Sequence, residues 1–151
     1  HGNDALKQQL EQQRLTAMAL ELLPRISRAQ TMDVLSSQAN IAGYKAVLLA
    51  SACLDRYVPM LMTAAGTIQP ARALILGAGV AGLQALATAR RLGAVAYVSD
   101  VRAAAKEQVE SLGGRFIDPP ELEQKPGETG GYAQQATDAF LAAQRRQLDW
   151  F

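Results

Sequence analysis

The run Arg72-Ala-Leu-Ile-Leu-Gly-Ala-Gly-Val-Ala-Gly-Leu-Gln-Ala decides how this chain folds, because an apolar, strand-like stretch breaks at glycine and restarts with helical composition. Gly77, Gly79 and Gly82 fit the spacing GxGxxG. Each glycine answers a separate geometric demand: Gly77 makes the tight turn, Gly79 lets a pyrophosphate approach the backbone, and Gly82 lets the helix pack closely on the strand. Val80 and Ala81 fall in the first turn of that helix, whose unpaired amides and positive dipole end face the phosphate. A glycine-rich surface loop is the plainer reading of GxGxxG alone.

The residues beyond the loop favour a nucleotide site. Val95-Ala-Tyr-Val-Ser is a second strand, and Asp100 ends it about twenty residues beyond the loop. A carboxylate there accepts hydrogen bonds from both hydroxyls of an adenosine ribose and repels a 2′-phosphate, so NAD(H) is favoured over NADP(H). Arg102, just beyond Val101, is a candidate acceptor for such a phosphate, which weakens the preference for NAD(H) without reversing it. Asp100 also suits a helix cap, since residues 102–113 read as the next helix.

Length and composition bound the rest. The chain has 151 residues, 49% of them hydrophobic, which suffices for one ordinary domain with a sizeable core. A net charge of +1, with Lys and Arg spread along the chain, gives no sign of a nucleic-acid surface. Cys53, the single cysteine, lies in the apolar run 46–54, which predicts a reduced, buried thiol and suits the cytosol. No apolar stretch reaches the roughly 18 residues of a membrane span, and the N-terminus has no signal pattern. His1 is the only histidine and is terminal, so neither histidine general-base chemistry nor a His-ligated metal is expected.

Outward from the glycine run, residues 4–13 are polar and helix-favouring, and residues 15–23 are apolar without a deciding period, leaving helix or strand open. Pro24 ends that segment. Residues 25–33 are polar and lead into a long helix expected over about 34–56. Its small residues Ser36, Ser37, Ala39, Ala42 and Gly43 allow close packing against another helix. Residues 60–70 read as a connector. After Gly113-Gly114, Arg115-Phe-Ile-Asp is a short third strand, and residues 119–131 have the composition of a mobile loop. A last amphipathic helix is expected over about 133–147, and Asp149-Trp-Phe reads as the opening of a fourth strand.

Three strands with intervening helices make the first mononucleotide-binding half of an α/β, Rossmann-type parallel sheet, preceded by a long helix. The expected organisation is residues 1–23 as the end of a preceding domain or linker, 24–70 as a loop and connecting helix, and 71–151 as a partial nucleotide-binding domain. The chain thus reads as truncated, with the outer edge of its first sheet strand lacking a partner.

Leu23-Pro-Arg-Ile-Ser-Arg-Ala-Gln-Thr-Met-Asp-Val-Leu-Ser-Ser-Gln-Ala-Asn-Ile-Ala-Gly-Tyr, Met62-Thr-Ala-Ala-Gly-Thr, Gly77-Ala-Gly-Val-Ala-Gly-Leu-Gln-Ala, Asp100-Val-Arg and Lys106-Glu-Gln-Val-Glu-Ser-Leu-Gly-Gly together carry a family resemblance. From about Leu15 onward the chain resembles the proton-translocating NAD(P) transhydrogenase alpha subunits, specifically their peripheral NAD(H)-binding domain. The related alanine dehydrogenases share the glycine loop and its strand, but lack the Arg-Ile-Ser-Arg-Ala-Gln segment and the long Gly-Gly-Tyr loop.

By that resemblance Arg25, Gln30 and Asp33 match the loop that holds the nicotinamide, with Ser36 beside it. Arg25 and Asp33 would bracket the two polar ends of a carboxamide, and Gln30 would hydrogen-bond the neighbouring nucleotide. The plainer reading of the same residues is a helix start, with Asp33 complementing the dipole and Arg25 and Arg28 as solvated charge. Tyr132 matches the tip of a loop that closes over bound NAD(H); read without the resemblance it is a surface tyrosine in a turn. Pro119-Pro and Lys125-Pro-Gly depart from the family and imply a stiffer loop base.

The resemblance implies direct hydride transfer between NAD(H) on this domain and NADP(H) on a separate beta-subunit domain, coupled to proton movement through a membrane component. It also implies a homodimer, peripheral on the cytoplasmic face of the membrane. The cofactors carry the chemistry, so no general acid or base is required. Two other readings stand: an alanine dehydrogenase-like piece, whose mark would be a substrate-binding Lys or His, and a non-catalytic nucleotide-binding remnant.

Overall fold

The computed structural model describes residues 3–24, 26–120, 138–149 and 151. Helix α1 (Asp4–Gln12) starts at Asn3, whose side chain accepts from the Leu6 amide at 3.0 Å. The apolar stretch beyond it is neither helix nor strand apart from a single 3-10 turn at Leu20–Leu22, and the polar stretch that follows carries a 3-10 helix at Ser27–Met32. Helix α2 (Val34–Ala52) comes next. It ends four residues before the expected Arg56. Cys53 caps its C-terminus, donating its amide to Leu49, and stands exposed, against the expected buried thiol, because the chain leaves the helix before the apolar run is used up.

The expected connector contains a small antiparallel hairpin, β1 (Leu61–Thr63) with β2 (Gly66–Ile68), closed by the turn Ala64-Ala65. The sheet proper then runs β3 (Arg72–Leu76), α3 (Val80–Arg91), β4 (Val95–Ser99), α4 (Lys106–Ser111) and β5 (Arg115–Ile117). Its strands are parallel in the order β3-β4-β5, with Leu76 beside Ser99 and Ser99 beside Ile117. This is the expected α/β, Rossmann-type half. In place of one helix over 102–113, a 3-10 turn at Ala103–Ala105 precedes the short α4. Helix α3 stops in the way its sequence asks: Gly93 takes φ +92° and Ala94 donates to the Ala89 carbonyl at 3.0 Å, satisfying carbonyls the last turn leaves open.

Strand alternation sorts the residues. Val98 and Ala96 face α3 and join Leu86, Ala89 and Val109 in the buried core, with Ala73, Ile75 and Phe116 packed against it. Tyr97 and Ser99 face the other way. There α5 (Asp138–Leu148) settles, burying Phe140 and donating from Gln144 Nε2 to Ser99 Oγ at 2.9 Å. Of the last helix expected over 133–147, only the stretch from Asp138 onward lies within the described residues. Among the described residues the expected opening of a fourth strand is not formed: Phe151 donates its amide to Leu148, and its ring packs edge-on against Tyr97, with the Arg72 guanidinium 5.0 Å from its centroid. Aromatic packing on the sheet face wins over strand pairing there. Among the described residues no strand pairs with the outer edge of β3, which borders an apolar trough lined by Val47, Ala50, Leu54 and Ile75.

Helices α2 and α3 cross at a point set by a missing side chain. Gly43, the buried residue of α2, lies against the backbone of Ala81 so closely that a Cβ would overlap the Ala81 carbonyl oxygen and stand 2.8 Å from its carbon. Asn40 and Gln84 hydrogen-bond across the same crossing at 3.1 Å. The contact lies in the first turn of α3, so α2 fixes the end of α3 that faces the glycine corner.

Candidate functional site

The corner between β3 and α3 is built as the glycine spacing requires. Gly77 has φ +97°, a conformation that costs an ordinary side chain strain, and its amide donates to the Ser99 carbonyl at 2.7 Å, tying the turn to the end of β4. Gly79 stands at the N-cap with extended backbone, and a Cβ built there meets nothing within 4 Å. At Gly82 a Cβ would overlap the Gly77 carbonyl oxygen, so the helix could not lie this close to the turn with any other residue. Val80, Ala81 and Gly82 supply first-turn amides that have no partner within the helix, and open space lies beside Gly79.

Asp100 sits at that corner. It is buried, and its Oδ2 accepts from the Ala78 amide at 2.6 Å, a bond that joins the end of β4 to the glycine turn. Oδ1 accepts from the Arg102 amide at 2.8 Å and from Arg102 Nε at 3.0 Å, while Arg102 NH2 reaches Oδ2 at 3.1 Å. The guanidinium and carboxylate thus meet in a two-point fork around Val101. Asp100 does not cap a helix, since Arg102 is the residue that precedes the 3-10 turn. Its carboxyl group is under opposing influences. Burial disfavours the charge, but hydrogen bonds from Arg102 and from the Ala78 and Arg102 amides, with the charge of Arg102, outweigh it and hold the carboxyl below its ordinary value. The same pairing raises Arg102.

A second group forms where α2 begins. Asp33 is the N-cap: Oδ1 accepts from the Ser36 amide at 2.9 Å and Oδ2 from Ser36 Oγ at 2.7 Å. The helix-start reading of Asp33 therefore describes its local geometry. Gln30 lies exposed in the preceding 3-10 turn, and Gln30 and Asp33 line one cleft with Leu20, Pro24 and Leu35. Arg25 and Tyr132 lie outside the described residues. The structure therefore gathers Gly77, Gly79, Val80, Ala81, Gly82, Asp100, Val101 and Arg102 at one corner, and Gln30, Asp33 and Ser36 at the start of α2.

Three contributors to the corner escaped the sequence reading. Ala78 matters through its amide alone, which no side-chain pattern reveals. Ser99 is fully buried, accepting from Gly77 through its backbone and from Gln144 through its hydroxyl. A polar residue at the end of an apolar strand, on the face opposite Val98, was the available signal. Gln144 carries none.

Comparison with known proteins settles the lineage. The family model described as alanine dehydrogenase/PNT, C-terminal domain, matches residues 46–149, and the corresponding N-terminal domain model matches residues 1–42. The chain belongs to the alanine dehydrogenase/PNT family. Within it, the chain is 56% identical over 143 residues to the first part of the NAD(P) transhydrogenase alpha subunit of Rhodospirillum rubrum, covering 94% of this chain and 37% of that protein. The corresponding protein of Rickettsia prowazekii is 52% identical over 134 residues, covering 89% of this chain and 35% of that protein. The crystal structure of transhydrogenase from Sinorhizobium meliloti superposes with a TM-score of 0.73 at 59% identity, covering 80% of this chain and 35% of that one. A dipicolinate synthase chain from Bacillus halodurans, at 16% identity and a TM-score of 0.54, covers 78% of this chain and 34% of its own length and shares the fold alone. This member of the alanine dehydrogenase/PNT family spans little more than a third of the length of these transhydrogenase relatives. Among its described residues no helix is long and apolar enough to cross a membrane.

Proposed function

We propose that this chain binds NAD(H) at the β3–α3 corner as the NAD(H)-holding portion of a proton-translocating transhydrogenase. The single observation that carries the reading is the bond from the Ala78 amide to Asp100: it sets an acidic side chain beside a glycine turn with open space at Gly79, as a dinucleotide needs. The pyrophosphate would lie on the amides of Gly79 to Gly82, and the ribose hydroxyls would approach Asp100, with Val101 and Arg102 alongside. Residues 71–151 supply this nucleotide-binding unit, residues 24–70 the nicotinamide loop and connecting helix, and residues 1–23 the end of a preceding domain.

The nicotinamide would be held by Arg25, Gln30 and Asp33, with Ser36 fixing Asp33. Gly43 lies nine positions along the helix from Val34, the first residue of α2, about 14 Å of axis at the usual rise, a separation that an extended dinucleotide bridges. When held there, the nicotinamide would supply or accept the hydride. The chain's own groups would orient the ring and exclude water, a role in which the family resemblance also includes Tyr132. NADP(H) would be held by a beta-subunit domain, with a membrane domain completing the complex and a second copy of this chain forming a dimer peripheral to the membrane.

Isothermal titration of the chain with NADH and with NADPH tests the reading. Micromolar NADH binding with weaker NADPH binding supports it. Absence of binding to both refutes it.

A further inference from the structure

The end of the sheet away from the glycine corner gathers positive charge. Arg72 opens β3, Arg115 opens β5 and Arg56 follows the end of α2, and all three are exposed. They line one open pocket of about 330 Å³, which they share with Pro70, Val95 and Tyr97. Among the described residues no carboxylate lines it, and Asp55, next to Arg56 in the chain, stays outside. Arg56 and Arg115 are held by neutral acceptors: Arg56 NH2 donates to the Gln69 carbonyl at 2.9 Å, and Arg115 NH1 to the Tyr97 hydroxyl at 2.9 Å. The Arg115 guanidinium also stands 5.4 Å from the centroid of the Tyr97 ring. Arg72 NH2 donates to the Phe151 carbonyl at 3.0 Å. A neutral partner fixes a guanidinium without cancelling its charge, so cations brought to one pocket in this way repel each other, and an anion between them relieves the repulsion.

We propose that Arg56 and Arg115, in the field of Arg72, form a binding site for a small organic polyanion carrying phosphate or carboxylate groups. Arginine suits either group, because its planar fork pairs with two oxygens at once. The pocket stands near the lower end of small-molecule sites, roughly 300–1,000 Å³, so its ligand is compact. Pro70 and Val95 add apolar wall for a carbon skeleton. The site lies at the amino ends of the strands. Gly77 is five residues along from Arg72, about 16 Å at the usual strand rise, so the pocket and the glycine corner are separate and can be filled together. The proposal is therefore independent of the reading of that corner.

The test is a titration of the 15N-labelled chain with inorganic phosphate and, separately, with citrate, in the parent, Arg56→Gln, Arg115→Gln and the double variant. Glutamine keeps an amide donor for the Gln69 carbonyl or the Tyr97 hydroxyl and drops the charge. Saturable shifts are expected at the amides of Arg72, Val95, Tyr97 and Arg115, and the tighter of the two anions shows whether phosphate or carboxylate groups are preferred. Each single variant is expected to weaken binding about three- to tenfold, and the double variant by about the product of the two. Affinity should fall as sodium chloride is raised. Phosphate shifts at Gly77 to Gly82 report the glycine corner and should be the same in every variant, which separates loss of this site from a general effect of net charge. Absence of saturation around the pocket at tens of millimolar of both anions overturns the inference. So does unchanged affinity in a folded Arg56→Gln or Arg115→Gln, or an equal loss at the glycine corner. Either single variant decides the matter should the other fail to fold.

Discussion

Gly43→Ala sets two physical effects against each other, and its sign shows which one governs the α2–α3 crossing. In the interior of a 19-residue helix, replacing Gly by Ala gains about 0.5–1 kcal/mol of backbone propensity. At Gly43 the new methyl overlaps the backbone oxygen of Ala81 and stands 2.8 Å from its carbonyl carbon and 3.0 Å from its Cα. Backbone cannot rotate away as a side-chain tip can, so α2 and α3 must separate. Such overpacking costs about 1–3 kcal/mol, and separation also weakens neighbouring core contacts. The expected net loss is about 1–2 kcal/mol, equivalent to a Tm lower by roughly 2–8 °C for a chain of this size. Because Ala81 lies in the first turn of α3, NADH affinity should fall as well. Urea unfolding and thermal melting monitored by circular dichroism give the first number, and calorimetry the second. A variant as stable as the parent or more so would refute the tight crossing and return Gly43 to an ordinary helix position.

Gly79→Ala tests space without strain: its extended backbone suits alanine and its Cβ meets nothing, so stability should stay within about 0.5 kcal/mol while NADH binding weakens. Retained affinity at unchanged Tm would remove the close approach of the phosphate. Asp33→Ala should cost about 0.5–2 kcal/mol as a lost cap, whereas Asp33→Asn should keep most of that stability. If Asp33 also orients the nicotinamide, the Asn variant will slow hydride transfer in a complex assembled with an NADP(H)-binding partner, and an unaltered rate would leave it a cap alone. Acid stability should depend on Asp100, whose lowered carboxyl contributes stability in full above the ordinary value of 3.8 and loses it as the pH falls below that through the folded value. Acid titrations followed by circular dichroism should therefore show the parent losing stability more steeply than Asp100→Asn below about pH 4. Equal slopes would mean that the Arg102 fork does not favour the charged carboxylate.

The glycine corner was legible because each glycine is demanded by backbone geometry, and a demand of that kind leaves its mark in one short stretch. Gly77, with φ +97°, and Gly82, pressed on the Gly77 carbonyl, stand as their spacing requires, and the β3-β4-β5 order follows from three short strands separated by helices. The small residues of α2 likewise included its crossing point, Gly43. Features hidden from the sequence were made by tertiary partners. The carboxylate of Asp100 goes to a backbone amide 22 residues away, and Arg102 folds back onto it; neither choice is encoded in residue type. Cys53 was misjudged because an apolar run says nothing about where a helix stops. The fourth strand was misjudged because Phe151 found Tyr97 and Arg72 on the sheet face. Likewise the hairpin at Leu61–Ile68 rests on a three-residue register too short for periodicity to mark.

The most direct test of NAD(H) binding at the β3–α3 corner is a titration of the 15N-labelled chain with NADH, followed through its backbone amide resonances. The expected result is saturable shifts centred on Gly77 to Gly82 and on Asp100 to Arg102, with smaller shifts around Gln30 and Asp33. Saturable shifts centred elsewhere, or none at millimolar NADH, would contradict it.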